Sequence, residues 1–257
     1  MDKTNNGNAK KWLFLIKRGM NLVLNLFFPP RCGFCSEIMR WSKNEEDLLC
    51  ADCLKQISFI DSEGCTYCGK NLDEKRECSC RQDGQKRYYS KAYSACEYSG
   101  IIRQKLLDLK FSGRKELFKI FAQLIIRKLQ MTNEKNFDII ISVPMHETSL
   151  KKRGYNQSEL MAGYIASNYS IKLVVNNLVK TRETFTQSML DKRDRVQNLR
   201  DAFKIISKKE LAGKKILLVD DILTTGSTVN ECSKILMESG AKEVIVVTAA
   251  TGKIVIN

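Results

Sequence analysis

Apolar residues recur along the chain in two periods. Near the N-terminus, Leu13, Ile16, Met20, Val23, Leu24 and Phe27 return at helical spacing. This predicts an amphipathic helix over Lys10–Phe28 that stops before Pro29-Pro30. From Phe137 the pattern becomes that of an α/β domain. Phe137–Val143 is a strand-like run ending at Pro144, and Asn156–Tyr169 has helical spacing through Leu160, Met161, Tyr164 and Ile165. Lys215–Val219 reads as a continuous buried strand, Val229–Glu238 as a helix closed by Gly240, and Glu243–Ala249 as a second buried strand. Strands alternating with helices in this order predict a parallel sheet with right-handed crossovers, flanked by helices.

Charge adds a direction to this picture. The 257 residues carry 43 Lys and Arg against 29 Asp and Glu, a formal +14. The excess is concentrated: residues 100–215 hold 24 basic and 11 acidic side chains. A basic segment of this density points to a polyanionic partner, either nucleic acid or a phosphorylated small molecule. The apolar run Trp12–Ile16 is shorter than a signal-peptide core, and no span reaches the roughly 20 apolar residues of a membrane helix. One histidine, His146, excludes His-rich metal centres.

Eight of the ten cysteines fall between positions 32 and 80 as Cys32/Cys35, Cys50/Cys53, Cys65/Cys68 and Cys78/Cys80. Two close pairs separated by a loop are what a tetrahedral four-thiolate zinc site requires, because each pair meets the metal from one side. Four pairs give two sites, paired either in sequence or cross-braced. Disulfides would need an oxidising compartment, and iron–sulfur ligation by eight thiolates is the remaining chemistry. Such a module substitutes metal binding for a core that some 50 residues could hardly supply. Cys96 and Cys232 stand apart and read as small buried hydrophobes.

The second informative stretch follows the Lys215–Val219 strand. Asp220 and Asp221 end it, and a loop of small hydroxylic residues, Thr224-Thr225-Gly226-Ser227-Thr228, opens the next helix. Backbone N–H groups and hydroxyls at a helix N-terminus suit a phosphate, and the paired carboxylates suit ribose hydroxyls or a divalent metal. No lysine follows the glycine, so this is not a Walker loop.

These residues resemble the signature of the type I phosphoribosyltransferases, carried here by ILLVDDILTTGST at 216–228. Further segments narrow the resemblance to the ComF family of competence proteins. They are LFFPPRCGFC at 26–35 with the paired cysteines, LDLKFSGRKEL at 107–117, SVPMHETSLKKRGYNQSELMA at 142–162, and TRETFTQSMLDKRDRVQNLRDAF at 181–203. The last resembles the family's flexible loop, including Gln187, Arg193 and Asn198. The resemblance implies a type I phosphoribosyltransferase-like parallel sheet over 90–257 and a double zinc-ribbon module over 29–85; the amphipathic N-terminal helix, over 1–28, rests on the apolar spacing instead.

By that resemblance Asp220 and Asp221 hold the ribose hydroxyls of phosphoribosyl pyrophosphate (PRPP), and Thr224, Thr225, Gly226, Ser227 and Thr228 cradle its 5′-phosphate. His146, Lys152 and Arg153 line the pyrophosphate side. Ser149 stands where many members carry arginine, and Lys151, Lys152 and Arg153 could replace it. Zn2+ at the cysteines and Mg2+ with PRPP are the implied cofactors. The implied partners are single-stranded DNA, PRPP and a competence helicase of the ComFA kind. The implied location is the cytoplasm, peripheral to a membrane DNA-uptake machinery, without membrane insertion.

Two functions fit. In one, the protein handles incoming single-stranded DNA in natural transformation: basic residues of 100–215 contact phosphates, and Tyr155, Tyr164, Phe185 or Phe203 offers a stacking surface. In the other, it is an orthodox phosphoribosyltransferase with an unidentified acceptor. No nucleobase site is recognisable, since the small hood that usually supplies one is replaced by the cysteine module.

Overall fold

The structure is a computed structural model that describes residues 28–39, 48–60, 64–72, 78, 80, 86–183 and 201–252. The helix expected over Lys10–Phe28 lies outside the described residues apart from Phe28. So do Phe185, Gln187, Arg193 and Asn198. The chain divides into two compact units, residues 1–54 and 55–257.

In the first unit the backbone folds back on itself around the leading cysteine pair. Arg31 and Ile38 form an antiparallel bridge, and the Cys32 N–H donates to the Glu37 carbonyl at 2.8 Å. Ser36 takes a left-handed φ of 65° to close this turn. The Gly33 N–H donates to the Leu48 carbonyl at 2.9 Å, which joins the two cysteine-bearing stretches. A short helix, α1 (Ala51–Lys55), buries Cys53.

The second unit is built on a five-stranded parallel sheet. In chain order its strands are β1 (Lys91–Glu97), β2 (Ile139–Ser142), β3 (Lys172–Leu173), β6 (Lys215–Leu223) and β7 (Glu243–Thr251). In space they run β1-β7-β6-β2-β3, every neighbouring pair parallel. Strands β4 (Leu178–Lys180) and β5 (Phe203–Ile205) form a separate antiparallel pair. The long strands read as near-continuous hydrophobic runs because both faces of a parallel sheet are covered. On one face, Ile216 and Leu218 of β6 and Val244 and Val246 of β7 pack against Val229, Cys232 and Leu236 of α6 (Ser227–Glu238). On the other lie α3 (Phe118–Gln130) and α5 (Gln157–Tyr169), which pack on each other and on the sheet. Two further helices, α2 (Gly100–Phe111) and α4 (Glu147–Arg153), complete the unit.

The periodicity finds the right elements but not all their limits. The α/β pattern begins at Lys91 rather than Phe137. The small and polar residues of KAYSACE give β1 little sequence signal, and ladder pairing with β7 makes it a strand. β6 continues past Val219 to Leu223, because β7 is long enough to pair Asp220 with Thr248 and Ile222 with Ala250. The two acids are therefore inside the strand rather than in the turn. Cys96 and Cys232 are fully buried, as expected of small hydrophobes. Of the proposed stacking aromatics, Phe203 is 5% exposed and sits in the core. No helix among the described residues is long and apolar enough to cross a membrane.

Candidate functional site

The sheet order fixes where a ligand can bind. The chain leaves β2 towards β3 at one edge and leaves β6 towards β7 on the opposite side. The C-terminal ends of β2 and β6 are thus the point where connections diverge, and the crevice there is the usual ligand site of an open parallel sheet. The register places Ser142 of β2 beside Val219 of β6, one residue before Asp220. The structure therefore brings the segment after β2 (Pro144–Ser158) and the segment after Val219 (Asp220–Thr228) to one edge.

Adjacent strand residues face opposite sides, so Asp220 and Asp221 have different surroundings. Asp221 is buried. Its Oδ2 accepts from Gln157 Nε2 at 2.8 Å and lies 2.6 Å from Lys110 Nζ. Asp220 accepts from Ser158 Oγ at 2.9 Å and from the Asp221 N–H at 2.9 Å. Burial, reinforced by the neighbouring Asp221 charge, pushes the Asp220 carboxyl up to about 7. The start of α5 thus holds both acids. Asn156 caps it by accepting from the Ser158 N–H at 3.0 Å while its own amide donates to the Val143 carbonyl at 3.0 Å. Sequence reasoning assigns no role to Gln157, Ser158 or Lys110. The missing signal was tertiary: a Gln and a Lys become site residues only once two helices converge on one carboxylate.

The loop after β6 turns at Gly226, which has a left-handed φ of 78°. Ser227 and Thr225 exchange a hydroxyl contact at 2.9 Å, and Thr224 is exposed. Gly226 is favoured by its φ, and its surroundings leave little room for a side chain. A Cβ there would lie 3.1 Å from Arg87 Nη1 and 3.3 Å from the Tyr89 hydroxyl. The twelve-residue helix α6 begins directly behind this loop, so its N-terminal N–H groups and dipole are presented to the same edge.

On the β2 side, His146 caps α4: its Nδ1 accepts from the Thr148 N–H at 3.4 Å and lies 2.9 Å from Thr148 Oγ1. Thr148 in turn donates to Glu183 at 2.8 Å. Lys152 is exposed. Arg153 donates to Gln157 Oε1 and sits 5.3 Å over the ring of Phe111, so it is linked through Gln157 to Asp221. A cleft of about 220 Å³ opens here, lined by Met145, Leu150, Asn156, Val179 and Lys180 among others.

The eight cysteines close into two sets in sequential pairing. Cys32, Cys35, Cys50 and Cys53 form one, and Cys65, Cys68, Cys78 and Cys80 the other, with all ligand atoms of a set within 4.8 Å of one another. A tetrahedral zinc with Zn–S bonds of about 2.3 Å requires S···S edges of about 3.8 Å. Cys35 and Cys50 are 3.7 Å apart and Cys65 and Cys80 3.6 Å apart, while Cys68–Cys78 and Cys78–Cys80 are closer, at 3.4 and 3.1 Å. No cysteine is in a disulfide. The Cys50 N–H donates to Cys32 Sγ at 3.3 Å, the kind of bond that stabilises a thiolate. A hydrogen bond from Cys68 outweighs burial and holds the Cys65 thiol down to about 4. Donor chemistry and the gathering of four sulfurs into each set fit zinc.

Comparison with known proteins agrees. The double zinc ribbon domain family matches residues 23–82, and the phosphoribosyl transferase domain family matches residues 119–254. The chain is 31% identical to competence protein F of Haemophilus influenzae, over 85% of this chain and 95% of that protein. It is 30% identical to competence protein ComFC of Streptococcus pneumoniae, over 83% of this chain and 96% of that one. It is also 30% identical to the DNA utilization protein YhgH of Escherichia coli, over 61% and 70%. The chain belongs to the ComF family of competence proteins, a double zinc ribbon joined to a phosphoribosyltransferase domain.

Proposed function

We propose that this protein handles single-stranded DNA during natural transformation and binds PRPP in the crevice between β2 and β6. The observation that carries the reading is the strand–loop–helix at 216–228. Paired acids on β6, a hydroxyl-rich loop turned by Gly226 and the N-terminus of α6 share one edge of the sheet. Asp220 and Asp221 take the ribose hydroxyls, and Thr224–Thr228 take the 5′-phosphate. Lys152 and Arg153 face the pyrophosphate, with His146 holding their helix in place. Mg2+ enters with the pyrophosphate. The names of the relatives, competence and DNA utilization, support the cellular role.

A DNA surface fits beside this crevice. Phe111 is 73% exposed under the Arg153 guanidinium, Lys115 lies 5.9 Å over the Tyr155 ring, and Lys151 and Lys152 are exposed. Cations paired with aromatic faces are the elements of sequence-tolerant single-strand binding. Such a protein works in the cytoplasm beside a membrane uptake machinery and its helicase. Calorimetry with Mg·PRPP and with a poly-dT oligonucleotide, each alone, tests both halves. Heat of binding is expected for each ligand, and a silent titration with either one removes that half.

A further inference from the structure

The second cysteine set does not hang off the sheet. Three successive backbone carbonyls of one knuckle tie it to β1, to β7 and to the residues that lead into β1. The Thr66 carbonyl accepts from the Ala92 N–H of β1 at 2.7 Å, the Tyr67 carbonyl from the Tyr89 hydroxyl at 3.0 Å, and the Cys68 carbonyl from Thr251 Oγ1 of β7 at 3.4 Å. Gly69, at φ 72°, presses against Ser94: a Cβ there would stand 2.5 Å from Ser94 Oγ. Four residues, Lys86–Tyr89, then run from this knuckle to the phosphate loop. The Arg87 guanidinium lies 5.2 Å over the Tyr67 ring and donates from Nη1 to the Thr225 carbonyl at 3.3 Å. Asn230, in the first turn of α6, donates to the Lys86 carbonyl at 2.9 Å and accepts from the Tyr88 N–H at 2.8 Å. Tyr89 is 5% exposed, with its hydroxyl between the Tyr67 carbonyl and Gly226.

We propose that the Lys86–Tyr89 strap makes the second four-cysteine site a support for the phosphate loop. Metal held by Cys65, Cys68, Cys78 and Cys80 fixes the Cys65–Cys68 knuckle, and Arg87 and Tyr89 carry that order to Thr225 and Gly226. Affinity for a phosphoribosyl ligand then depends on a metal that never touches it. Arg87 and Tyr89 are positioning residues. The argument is one of preorganisation: a loop already held in its binding conformation loses less entropy when a phosphate arrives. The part of this inference that concerns affinity rests on Thr224–Thr228 being the 5′-phosphate cradle.

Arg87→Gln and Tyr89→Phe test it while leaving all eight cysteines in place. Bound zinc, the melting midpoint, Mg·PRPP affinity by calorimetry and amide exchange at Ser227 and Asn230 without ligand are measured for each. Both variants are expected to keep the wild-type zinc content, to weaken Mg·PRPP binding about tenfold and to exchange those two amides faster. Arg87→Lys, which keeps the charge but loses the planar fork, is expected to restore only part of the affinity. Cys78→Ser with Cys80→Ser should lower zinc by one equivalent and produce the same acceleration of exchange. Unchanged exchange at Ser227 and Asn230 in Arg87→Gln and Tyr89→Phe, with zinc intact, overturns the proposal. Faster exchange in a protein whose wild type binds no Mg·PRPP instead keeps the strap and removes the function assigned to the loop.

Discussion

Asp220 and Asp221 are neighbours in sequence with opposite circumstances. Asp221 is ion-paired with Lys110 and held by Gln157, whereas Asp220 accepts from the Ser158 hydroxyl and one backbone N–H. A carboxyl whose folded-state value is raised from 3.8 to about 7 binds a proton more readily folded than unfolded. Its contribution to stability is therefore present at low pH and is lost as pH rises through that window. Chemical denaturation between pH 5 and pH 8 should show wild-type stability falling more than that of Asp220→Asn. Equal slopes would show that Asp220 does not titrate there. Gln157→Ala should weaken Mg·PRPP binding by about 10-fold, because it releases both Asp221 and Arg153 from one bridge. Tight binding by that variant would show that α5 is not what orders the acids.

At the scale of elements, the turn from β6 into α6 is the strictest piece of backbone in the site. Alanine at Gly226 would need a left-handed φ of 78° and would bring its Cβ to 3.1 Å from Arg87. The cost is about 1–2 kcal/mol, a fall in melting midpoint on the order of 5 °C. Thermal denaturation checks this, and an unchanged midpoint would mean the turn relaxes. Much of this level was legible in the sequence. Apolar runs located β2, β6 and β7, and helical spacing located α5 and α6. The C-x-x-C and C-x-C pairs announced two four-thiolate sets. What stayed hidden depended on partners far along the chain. β1 exists because β7 offers it a ladder, β6 reaches Leu223 because β7 is equally long, and the choice between sequential and cross-braced cysteine pairing is a matter of space rather than spacing.

At the scale of the whole molecule, the basic excess and the cysteine sets are open to separate tests. Zinc-loaded protein should contain two metal ions per chain by elemental analysis; a value near zero would remove both centres. Single-strand affinity should fall with salt by roughly 0.7 log units per log unit of salt for each phosphate contact, and a flat response would exclude binding through the basic surface. The signature was legible as a hydroxyl-rich loop behind paired acids. The strap from the second cysteine set was not, because Arg87, Tyr89 and Asn230 belong to no motif and meet only after folding.

The most direct measurement is a calorimetric titration of zinc-loaded wild-type protein and of the Asp220→Asn, Asp221→Asn double variant with Mg·PRPP, after circular dichroism has shown that both are folded. The account predicts a one-to-one complex for wild type and a loss of affinity of at least about 100-fold in the variant, as expected when charge-assisted hydrogen bonds to a ligand are removed. Equal affinity in the two folded proteins would contradict it.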